Sequence, residues 1–295
     1  MKTLREVLDE SERSKFAVGH FNVSDFVTLK AITESARELS APVLVGVSES
    51  ERQFMGVRQI AALVRSVRDE YDLPIFLNAD HTHSLLKAVE AAETGFDAVV
   101  FDNSQKPFDE NVSETKRAVE AVKAINPLII VEGEIGDIGS GSELHETIPD
   151  SSRILTTAEQ ARQFVAATGV DVLAPAVGNM HGLLRSMARG EVHKHLDIGR
   201  ISEIKAATGI FLTLHGGSGT DDGDLREAIQ VGVNIIHINT ELRLAWRRGI
   251  SAALANQPNE VAPYKILPSA LEAVKGVVRG RLELFRSEKS ATAGW

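Results

Sequence analysis

Three histidines of this sequence stand beside small or acidic residues at the ends of short apolar runs. They are His81, which follows Asp80, His181, which precedes a glycine, and His215, which precedes two glycines. Any one of them alone is more often an ordinary hydrogen-bonded loop residue. Three imidazoles that meet with one coordination position left open are, however, the usual composition of a catalytic zinc site. Their shared setting therefore predicts a metal centre.

A glycine-rich turn begins at the last of these histidines. It reads His-Gly-Gly-Ser-Gly-Thr over residues 215–220 and leads into a predicted helix that begins near Asp222. Backbone N–H groups next to glycine can surround a phosphate, and the amino terminus of a helix adds favourable partial positive charge. The alternative is a tight turn that needs a left-handed backbone. We expect a phosphate site here.

Residues 137–146 form a third candidate segment, rich in glycine, serine and acidic residues. Long connections in compact domains are often functional lids. Glu143 or Glu146 would then bring an acid or base over a bound substrate. The alternative is a solvated acidic loop.

The elements that must position these residues alternate regularly along the chain. Eight short runs are continuously apolar, which is typical of parallel strands covered on both faces. They are Phe16–Val23, Pro42–Ser48, Pro74–Asp80, Phe96–Asp102, Pro127–Glu134, Val170–Val177, Ile210–His215 and Val233–Ile238. Amphipathic segments with helical spacing lie between them. They are Asp25–Leu39, Val57–Asp69, Leu85–Thr94, Asn111–Ala124, Thr157–Ala167, Ile198–Ala207, Asp224–Gln230 and Leu242–Ala255.

Eight strand–helix units without a linker or a shift in composition favour one (β/α)₈ barrel over residues 1–295. An additional amino-terminal helix and a carboxy-terminal helical segment over Ser269–Phe285 complete it. Local signals agree, because Thr157 with Gln160, or Thr156 with Glu159, has capping-box spacing, and Gly169 follows the end of that helix. A doubly wound sheet is the alternative. In a barrel, the carboxyl ends of the strands converge, so the polar residues there would share one site.

Composition excludes several other classes of protein. Of the 295 residues 43% are hydrophobic and 25% charged, the balance of a globular protein. The net charge of −9 gives no general attraction to nucleic acid or anionic lipid, and the absence of cysteine excludes thiolate ligands and disulfides. The first eight residues lack the apolar core of a signal peptide, and no stretch approaches the roughly 18 apolar residues of a membrane helix. We therefore expect a cytoplasmic protein that binds neither nucleic acid nor membrane.

Taken together, these residues resemble the class II, zinc-dependent ketose-bisphosphate aldolases, the family of the fructose- and tagatose-1,6-bisphosphate aldolases. The ordered matches span nearly the whole chain. They are Ala17–Val23, Pro42–Ser48, Asn78–His81, Gly95–Ser104, Pro107–Asn111, Glu132–Gly136, Asn179–Gly182, His215–Gly219 and Asn239–Leu242.

The resemblance implies a role for each matching residue. His81, His181 and His215 match the ligands of one Zn²⁺, other divalent metals being possible, and Glu134 matches a glutamate that serves an alternative metal position. Asp80 matches the aspartate that handles the proton of the hydroxyl at the bond broken or formed. The substrate- and phosphate-binding positions are Asn22, Ser48, Gly182, Gly216, Gly217, Ser218, Asn239 and Thr240. A homodimer or homotetramer is also implied.

The implied reaction is the reversible cleavage of a phosphorylated ketose, such as a ketose 1,6-bisphosphate, to an aldehyde and a product like dihydroxyacetone phosphate. Cleavage generates an enediolate, whose developing charge needs a Lewis acid such as Zn²⁺. Asp80 would act as general base in cleavage and as general acid in condensation. Covalent catalysis by lysine is disfavoured, because none of the eight strand ends carries one.

The sequence departs from the family at several positions. Thr82 and His83 follow the Asp-His pair where the family has glycine, and Asn103 replaces another glycine. His237 stands where the family has a substrate-binding asparagine, and we expect it to donate to a substrate oxygen. The catalytic glutamate of the mobile loop aligns one position away from Glu143.

Further interpretations stay open. His81 and His83 have the H-x-H spacing of some zinc hydrolases. A degenerate aldolase-like subunit that stabilises a partner is a second alternative, against which the retained Asp80 and histidines argue. One of three arginines near the carboxy terminus, Arg279, Arg281 or Arg286, is a candidate for a second phosphate contact.

Overall fold

The computed structural model describes residues 2–136, 138–139, 144–145 and 155–286. Eight parallel strands form a closed barrel, so the predicted barrel is confirmed and the doubly wound sheet is wrong. The barrel strands are β1 (Val18–Asn22), β2 (Val43–Val47), β3 (Ile75–Thr82), β4 (Ala98–Phe101), β5 (Ile130–Ile135), β7 (Val172–Pro175), β9 (Phe211–Leu214) and β10 (Val233–Ile238). Their order around the barrel is β1-β10-β9-β7-β5-β4-β3-β2. Two short strands, β6 (Leu144–His145) and β8 (Leu183–Leu184), pair separately.

The eight predicted helices between the strands are present, as are the two additional terminal helices. The main helices are α1 (Leu4–Ser14), α2 (Phe26–Leu39), α4 (Val57–Tyr71), α5 (Leu85–Thr94), α6 (Phe108–Ile125), α7 (Ala158–Thr168), α9 (Ile198–Thr208), α10 (Asp222–Val231), α11 (Thr240–Asn256) and α13 (Pro268–Phe285). Thr157 and Gln160 form the predicted capping box of α7, and Gly169 ends that helix with a φ of 72°. Three short helices were not predicted: α3 (Glu49–Met55), α8 (Arg185–Ala188) and α12 (Pro263–Ile266). None of the described helices is both long and apolar enough to span a membrane.

The interior of the barrel changes from apolar to polar along its axis. Every strand contributes one residue to an apolar layer at the amino-terminal end, and α1 packs beneath it. The strand residues are Val18, Leu44, Phe76, Ala98, Ile130, Val172, Phe211 and Ile235. Side chains two residues apart on a strand share a face, so the next positions also point inward. There the buried polar residues begin, among them His20, Glu132, Thr213 and His237. The amino-terminal half of the barrel interior is therefore packed with apolar side chains, and the carboxy-terminal half carries the polar side chains that could bind or react with a ligand.

The amino-terminal helix α1 closes the apolar end of the barrel. Leu4, Val7 and Leu8 of this helix belong to the same buried cluster as the strand residues, and Leu8 is fully buried. Removing part of this side chain would leave a cavity that rigid strands cannot fill.

We expect Leu8→Ala to lower the free energy of unfolding by about 2–5 kcal/mol, measured by denaturant unfolding. The matched control is Leu86→Ala, because Leu86 is 76% exposed and its truncation should change stability by no more than about 0.5 kcal/mol. Equal effects of the two substitutions would contradict the packing described for α1.

Candidate functional site

A cavity of about 620 Å³ opens at the carboxyl ends of the strands. Most of the residues that the sequence predicts for the site line it. They are Asn22, Ser48, Asp80, His81, His181, Gly182, Gly216, Ser218, His237, Asn239 and Thr240. Glu134 and His215 are buried at its floor. Gly217 lies behind the wall, where its N–H donates to the carbonyl of His237, and Glu143 and Glu146 lie outside the described residues.

Four of these side chains could hold a metal ion. Ligand atoms of His81, Glu134, His181 and His215 all lie within 4.8 Å of one another. Glu134 Oε2 and His215 Nδ1 lie 3.2 Å apart, and His181 Nε2 is buried without a hydrogen-bond partner among the described residues. Buried polar atoms are rarely left unpaired. Nitrogen and carboxylate donors that converge in this way fit a divalent metal ion such as Zn²⁺.

A break in the β3 ladder brings two consecutive residues to the cavity. The register between β3 and β4 shifts between Ala79 and Thr82, and His81 between them has a φ of 40°. Neighbouring residues of a regular strand point to opposite faces, and an irregularity of this kind can re-aim a side chain. Asp80 and His81 consequently both reach the cavity.

Carboxylates orient two of the candidate metal ligands. Asp102 Oδ2 lies 2.8 Å from His81 Nδ1, and Glu132 Oε1 lies 2.6 Å from His215 Nε2. Each contact leaves the other ring nitrogen for the metal, which is a common arrangement around bound metal ions. The sequence analysis assigned no role to Asp102 or Glu132. For Glu132 the available signal was its position two residues before Glu134, on the same face of β5.

Burial and neighbouring charges shift the pKa values of this cluster. Burial raises the pKa of both Glu132 and Glu134. Burial alone would lower the pKa of His215, but these two carboxylates raise it well above its usual value. Burial lowers the pKa of His181, which keeps that imidazole neutral and its lone pair available. The cluster thus contains carboxylates that need a positive partner, and a metal cation would supply it.

Asp80 is held at the edge of this cluster by Asn22. The amide nitrogen of Asn22 donates to Asp80 Oδ2 at 2.8 Å and to Glu51 Oε2 at 3.0 Å. The other oxygen, Asp80 Oδ1, lies 3.5 Å from His237 Nδ1 and 3.9 Å from His81 Nε2. Burial would raise the pKa of Asp80, but the charge of His81 and the contact with His237 lower it well below its usual range. Asp80 is therefore ionised and able to accept a proton.

Three imidazoles are stacked beside Asp80. The rings of His20 and His237 are 3.5 Å apart between centroids and nearly parallel, and those of His237 and His215 are 4.0 Å apart. Gly46 makes room for this stack, since a Cβ there would lie 2.0 Å from His20 Cε1. The sequence analysis did not assign a role to His20.

The residues that depart from the family have defined partners. Thr82 accepts a hydrogen bond of 3.0 Å from the buried guanidinium of Arg52. His83 Nδ1 lies 2.8 Å from the carbonyl of Asp102, and its ring centroid lies 6.5 Å from that of His81. His83 is not a member of the candidate metal cluster, so the structure does not form the H-x-H pair of a zinc hydrolase. Asn103 donates to Glu114 at 2.6 Å.

The glycine-rich turn is built by close contacts. Gly216 has a φ of 63°, and a Cβ there would lie 2.2 Å from the carbonyl oxygen of Met180. Ser218 Oγ accepts from the backbone N–H groups of Asn239, at 3.3 Å, and Glu241, at 3.4 Å. These contacts join the loops after β7, β9 and β10 in one wall of the cavity.

The carboxy-terminal arginines do not line this cavity. Arg281 forms ion pairs with Glu241 and Asp222, and Arg279 lies 3.6 Å from Glu38. A second phosphate contact from one of these arginines stays a prediction.

A sequence profile of the family "Fructose-bisphosphate aldolase class-II" matches residues 2–290. The chain belongs to this family. A fructose-bisphosphate aldolase of Geobacillus stearothermophilus is 32% identical over 292 residues, which cover 98% of both chains. A fructose-bisphosphate aldolase of Thermus caldophilus is 33% identical over 303 residues, which cover 96% of this chain and 97% of the relative. The crystal structure of the YdjI aldolase from Escherichia coli K12 superimposes with a TM-score of 0.78 at 26% identity, over 98% of this chain and 99% of that one.

Membership confirms the resemblance and the enzyme class. The protein is a class II aldolase, a carbon–carbon lyase of a metal-dependent family. The described residues include a group able to bind the metal ion that such chemistry uses.

We expect Asp102→Asn to weaken the affinity of this aldolase for Zn²⁺ or Co²⁺ by about 10–100-fold, because the hydrogen bond that orients His81 is lost or weakened. Competition against a chromogenic chelator measures this. The matched control is Asp97→Asn, because Asp97 accepts from Leu77 N and Arg68 at the opposite end of the barrel. Metal affinity that falls equally in both variants would argue against the orienting role of Asp102.

Proposed function

We propose that this aldolase uses Zn²⁺ to cleave, and in reverse to form, a phosphorylated ketose such as a ketose 1,6-bisphosphate. One observation carries the proposal. A cavity with the glycine-rich turn in its wall contains an ionised aspartate beside a convergent group of three histidines and a glutamate. Aldol cleavage needs these three functions together: an electrophile for the carbonyl, a base for the hydroxyl proton and a site for the phosphate.

In this proposal His81, His181 and His215 hold the metal ion, with Glu134 available as an alternative ligand. A bound Zn²⁺ would polarise the ketone and stabilise the negative charge that develops as the carbon–carbon bond breaks. Asp102 and Glu132 fix the rings of His81 and His215 in the required orientation. Burial limits exchange of these groups with water.

Asp80 removes the proton of the hydroxyl at the bond that breaks and returns it in the condensation direction. Its low pKa makes it a base at neutral pH, and its Oδ1 lacks a hydrogen-bond partner among the described residues. Asn22 holds the other oxygen and thereby aims Oδ1 at the cavity. Proton transfer of this kind contributes about 10²–10⁴-fold to a rate.

His237 positions the substrate from beside Asp80. Burial lowers its pKa well below the usual value, so the ring is neutral. A neutral imidazole donates through one nitrogen only. His237 Nδ1 faces the Asp80 carboxylate at 3.5 Å, so Nε2, which lacks a partner in the described chain, would accept a hydrogen bond from a substrate hydroxyl. We propose that it takes the part of the asparagine found elsewhere in the family.

The loops bind the phosphate of the ketose-phosphate half. Gly182, Gly216 and Ser218 line the cavity beside Asn239 and Thr240, and Ser48 lies at the other side. Gly217 supports the turn from behind. A catalytic role for Glu143 stays a prediction.

The wider expectations belong to the same proposal. We infer that residues 1–295 act as a single barrel domain and that the enzyme is cytoplasmic and forms a homodimer or homotetramer. The proposed substrate is a small phosphorylated sugar, and the net charge of −9 gives no reason to add nucleic acid as a partner.

Metal analysis with a cleavage assay tests the proposal. We expect purified protein to contain close to one equivalent of Zn²⁺ per chain and to cleave fructose-1,6-bisphosphate or tagatose-1,6-bisphosphate. A chelator should abolish cleavage, and added Zn²⁺ should restore it. Full activity after removal of all metal would contradict the proposal, and so would zinc-loaded protein that cleaves no phosphorylated ketose.

We expect Asp80→Asn to lower kcat by about 10²–10⁴-fold while zinc content stays unchanged, because the amide cannot accept the hydroxyl proton. Steady-state kinetics and metal analysis check this. The control is Asp171→Asn, which removes a carboxylate that pairs with Lys123 and accepts from Val131 N far from the cavity. A comparable loss of kcat in the control would show that the effect of Asp80→Asn is not specific to the base.

A further inference from the structure

One buried lysine lies behind the wall that the glycine-rich turn forms. Lys194 is 4% exposed and stands between α8 and α9. Its N–H donates to the carbonyl of Gly219, its own carbonyl accepts from Asp221, and it forms a parallel bridge with Thr220. The backbone of Lys194 is therefore already fixed to the loop that follows β9.

The side chain of Lys194 ends in a group of four backbone carbonyls. Its Nζ lies 2.7 Å from the carbonyl oxygens of Met180, Gly182 and Ser218 and 3.0 Å from that of Gly216. Two of these carbonyls belong to the loop after β7 and two to the loop after β9. An ammonium group has three hydrogens, so four acceptors surround it much as carbonyl oxygens surround a monovalent cation.

This lysine differs in its partners from two partly buried lysines of the chain. Lys205 donates to the carbonyl of Ile210 but also pairs with Glu12, and Lys123 pairs with Asp171. Among the described residues, Lys194 has no such ion pair. The closest acidic influence is Glu241, which is paired with Arg281. A buried charge without a counterion is costly.

An anion bound in the cavity would lie on the other side of these loops from the charge of Lys194. Gly182, Gly216 and Ser218 carry no charged side chain. All three line the cavity, and the carbonyl oxygen of each contacts Lys194 Nζ. An anion bound against these residues would lie close behind the same peptide groups and would compensate the ammonium charge. Burial lowers the pKa of Lys194 to about 7 and Glu241 opposes this, whereas an anion would favour the charged form.

We propose that Lys194 is a positioning residue for the phosphate end of the substrate, its ammonium group acting as a tethered monovalent cation that fixes the two loops against each other. This rests on the proposed function, in which those loops bind the phosphate. The inference has a direct consequence: without the ammonium group, the four carbonyls form a site for free NH₄⁺ or K⁺.

Two variants and one control test the assignment. Lys194→Ala opens the group of carbonyls, and Lys194→Met keeps the apolar stem but removes the charge. The control, Lys205→Met, removes a partly buried lysine at the opposite end of the barrel. Each protein is loaded with metal and studied at constant ionic strength in the chlorides of NH₄⁺, K⁺, Li⁺ or tetramethylammonium. The ligands are dihydroxyacetone phosphate and, as its uncharged counterpart, dihydroxyacetone.

In tetramethylammonium chloride we expect Lys194→Ala to bind dihydroxyacetone phosphate about tenfold more weakly than the wild type, which corresponds to about 1.4 kcal/mol. Calorimetry should show no matching loss for dihydroxyacetone. NH₄⁺ and K⁺ should restore the affinity of Lys194→Ala for dihydroxyacetone phosphate and raise its Tm, and they should do so for no other variant. In steady-state kinetics, the KM of Lys194→Ala for a cleaved substrate should rise as its affinity falls, while kcat changes little. Lys194→Met should show the loss without the rescue.

Three results would overturn the inference: an equal loss for both ligands, an absence of cation selectivity in Lys194→Ala, or wild-type affinity in Lys194→Met. If Lys194→Ala does not fold, the Lys194→Met affinity decides, and failure of both variants to fold in every salt would assign Lys194 to folding instead. The Tm and the binding of dihydroxyacetone phosphate need no catalysis. A wild-type enzyme that cleaves no ketose bisphosphate would therefore refute the proposed substrate and leave the test of Lys194 intact.

Discussion

The buried carboxylates in the carboxy-terminal half of the barrel need positive or hydrogen-bonding partners, and this requirement constrains the whole site. Four carboxyl groups, those of Asp80, Asp102, Glu132 and Glu134, lie in or beside an interior with little contact with water. Desolvation of a carboxylate is costly unless a positive group or a hydrogen-bond donor faces it. The imidazoles meet this requirement, and their orientation follows from it, because each carboxylate that takes one ring nitrogen determines where the other nitrogen points. The remaining ring nitrogens therefore point to one position because the carboxylates hold the opposite nitrogens of the same rings.

The strands can tolerate this polar half because an apolar layer fills the barrel interior at their amino-terminal ends. A single set of strands carries Val18, Phe76 and Ile130 at the closed end and His20, Asn78 and Glu132 one step further along. The apolar layer and α1 provide dense packing that holds the strands in register. The strand residues of the open end, among them His20, Asp80, Glu132 and His237, are consequently fixed by the same backbone that fixes the core. His181 and His215 lie in the loops after β7 and β9.

Much of this arrangement could be predicted from the sequence. Continuous apolar runs separated by amphipathic segments indicate a barrel, and once a barrel is assumed, His81, His181 and His215 must converge. The orientation of those rings could not be predicted: the spacing of Glu132 and Glu134 places both on one face of β5, but it does not say which ring nitrogen either carboxylate takes. The register shift at Asp80 and His81 escaped prediction because nothing in the local sequence marks it. Lys194 lies in a loop without periodicity, and only the folded chain reveals that its stem reaches four carbonyls contributed by two other loops.

The stack of His20, His237 and His215 links the pocket to residues below it. His237 fills the space between the other two rings, and His20 exists in its place only because position 46 carries no side chain. A change at one of these positions alters the room available to the next, so their effects on the enzyme should be epistatic. Asparagine in place of His237 would remove the middle ring of the stack and leave His20 without the ring that packs on it. Attempts to convert this pocket into one with asparagine by single steps would pass through an intermediate with either a void or a clash beside a candidate metal ligand.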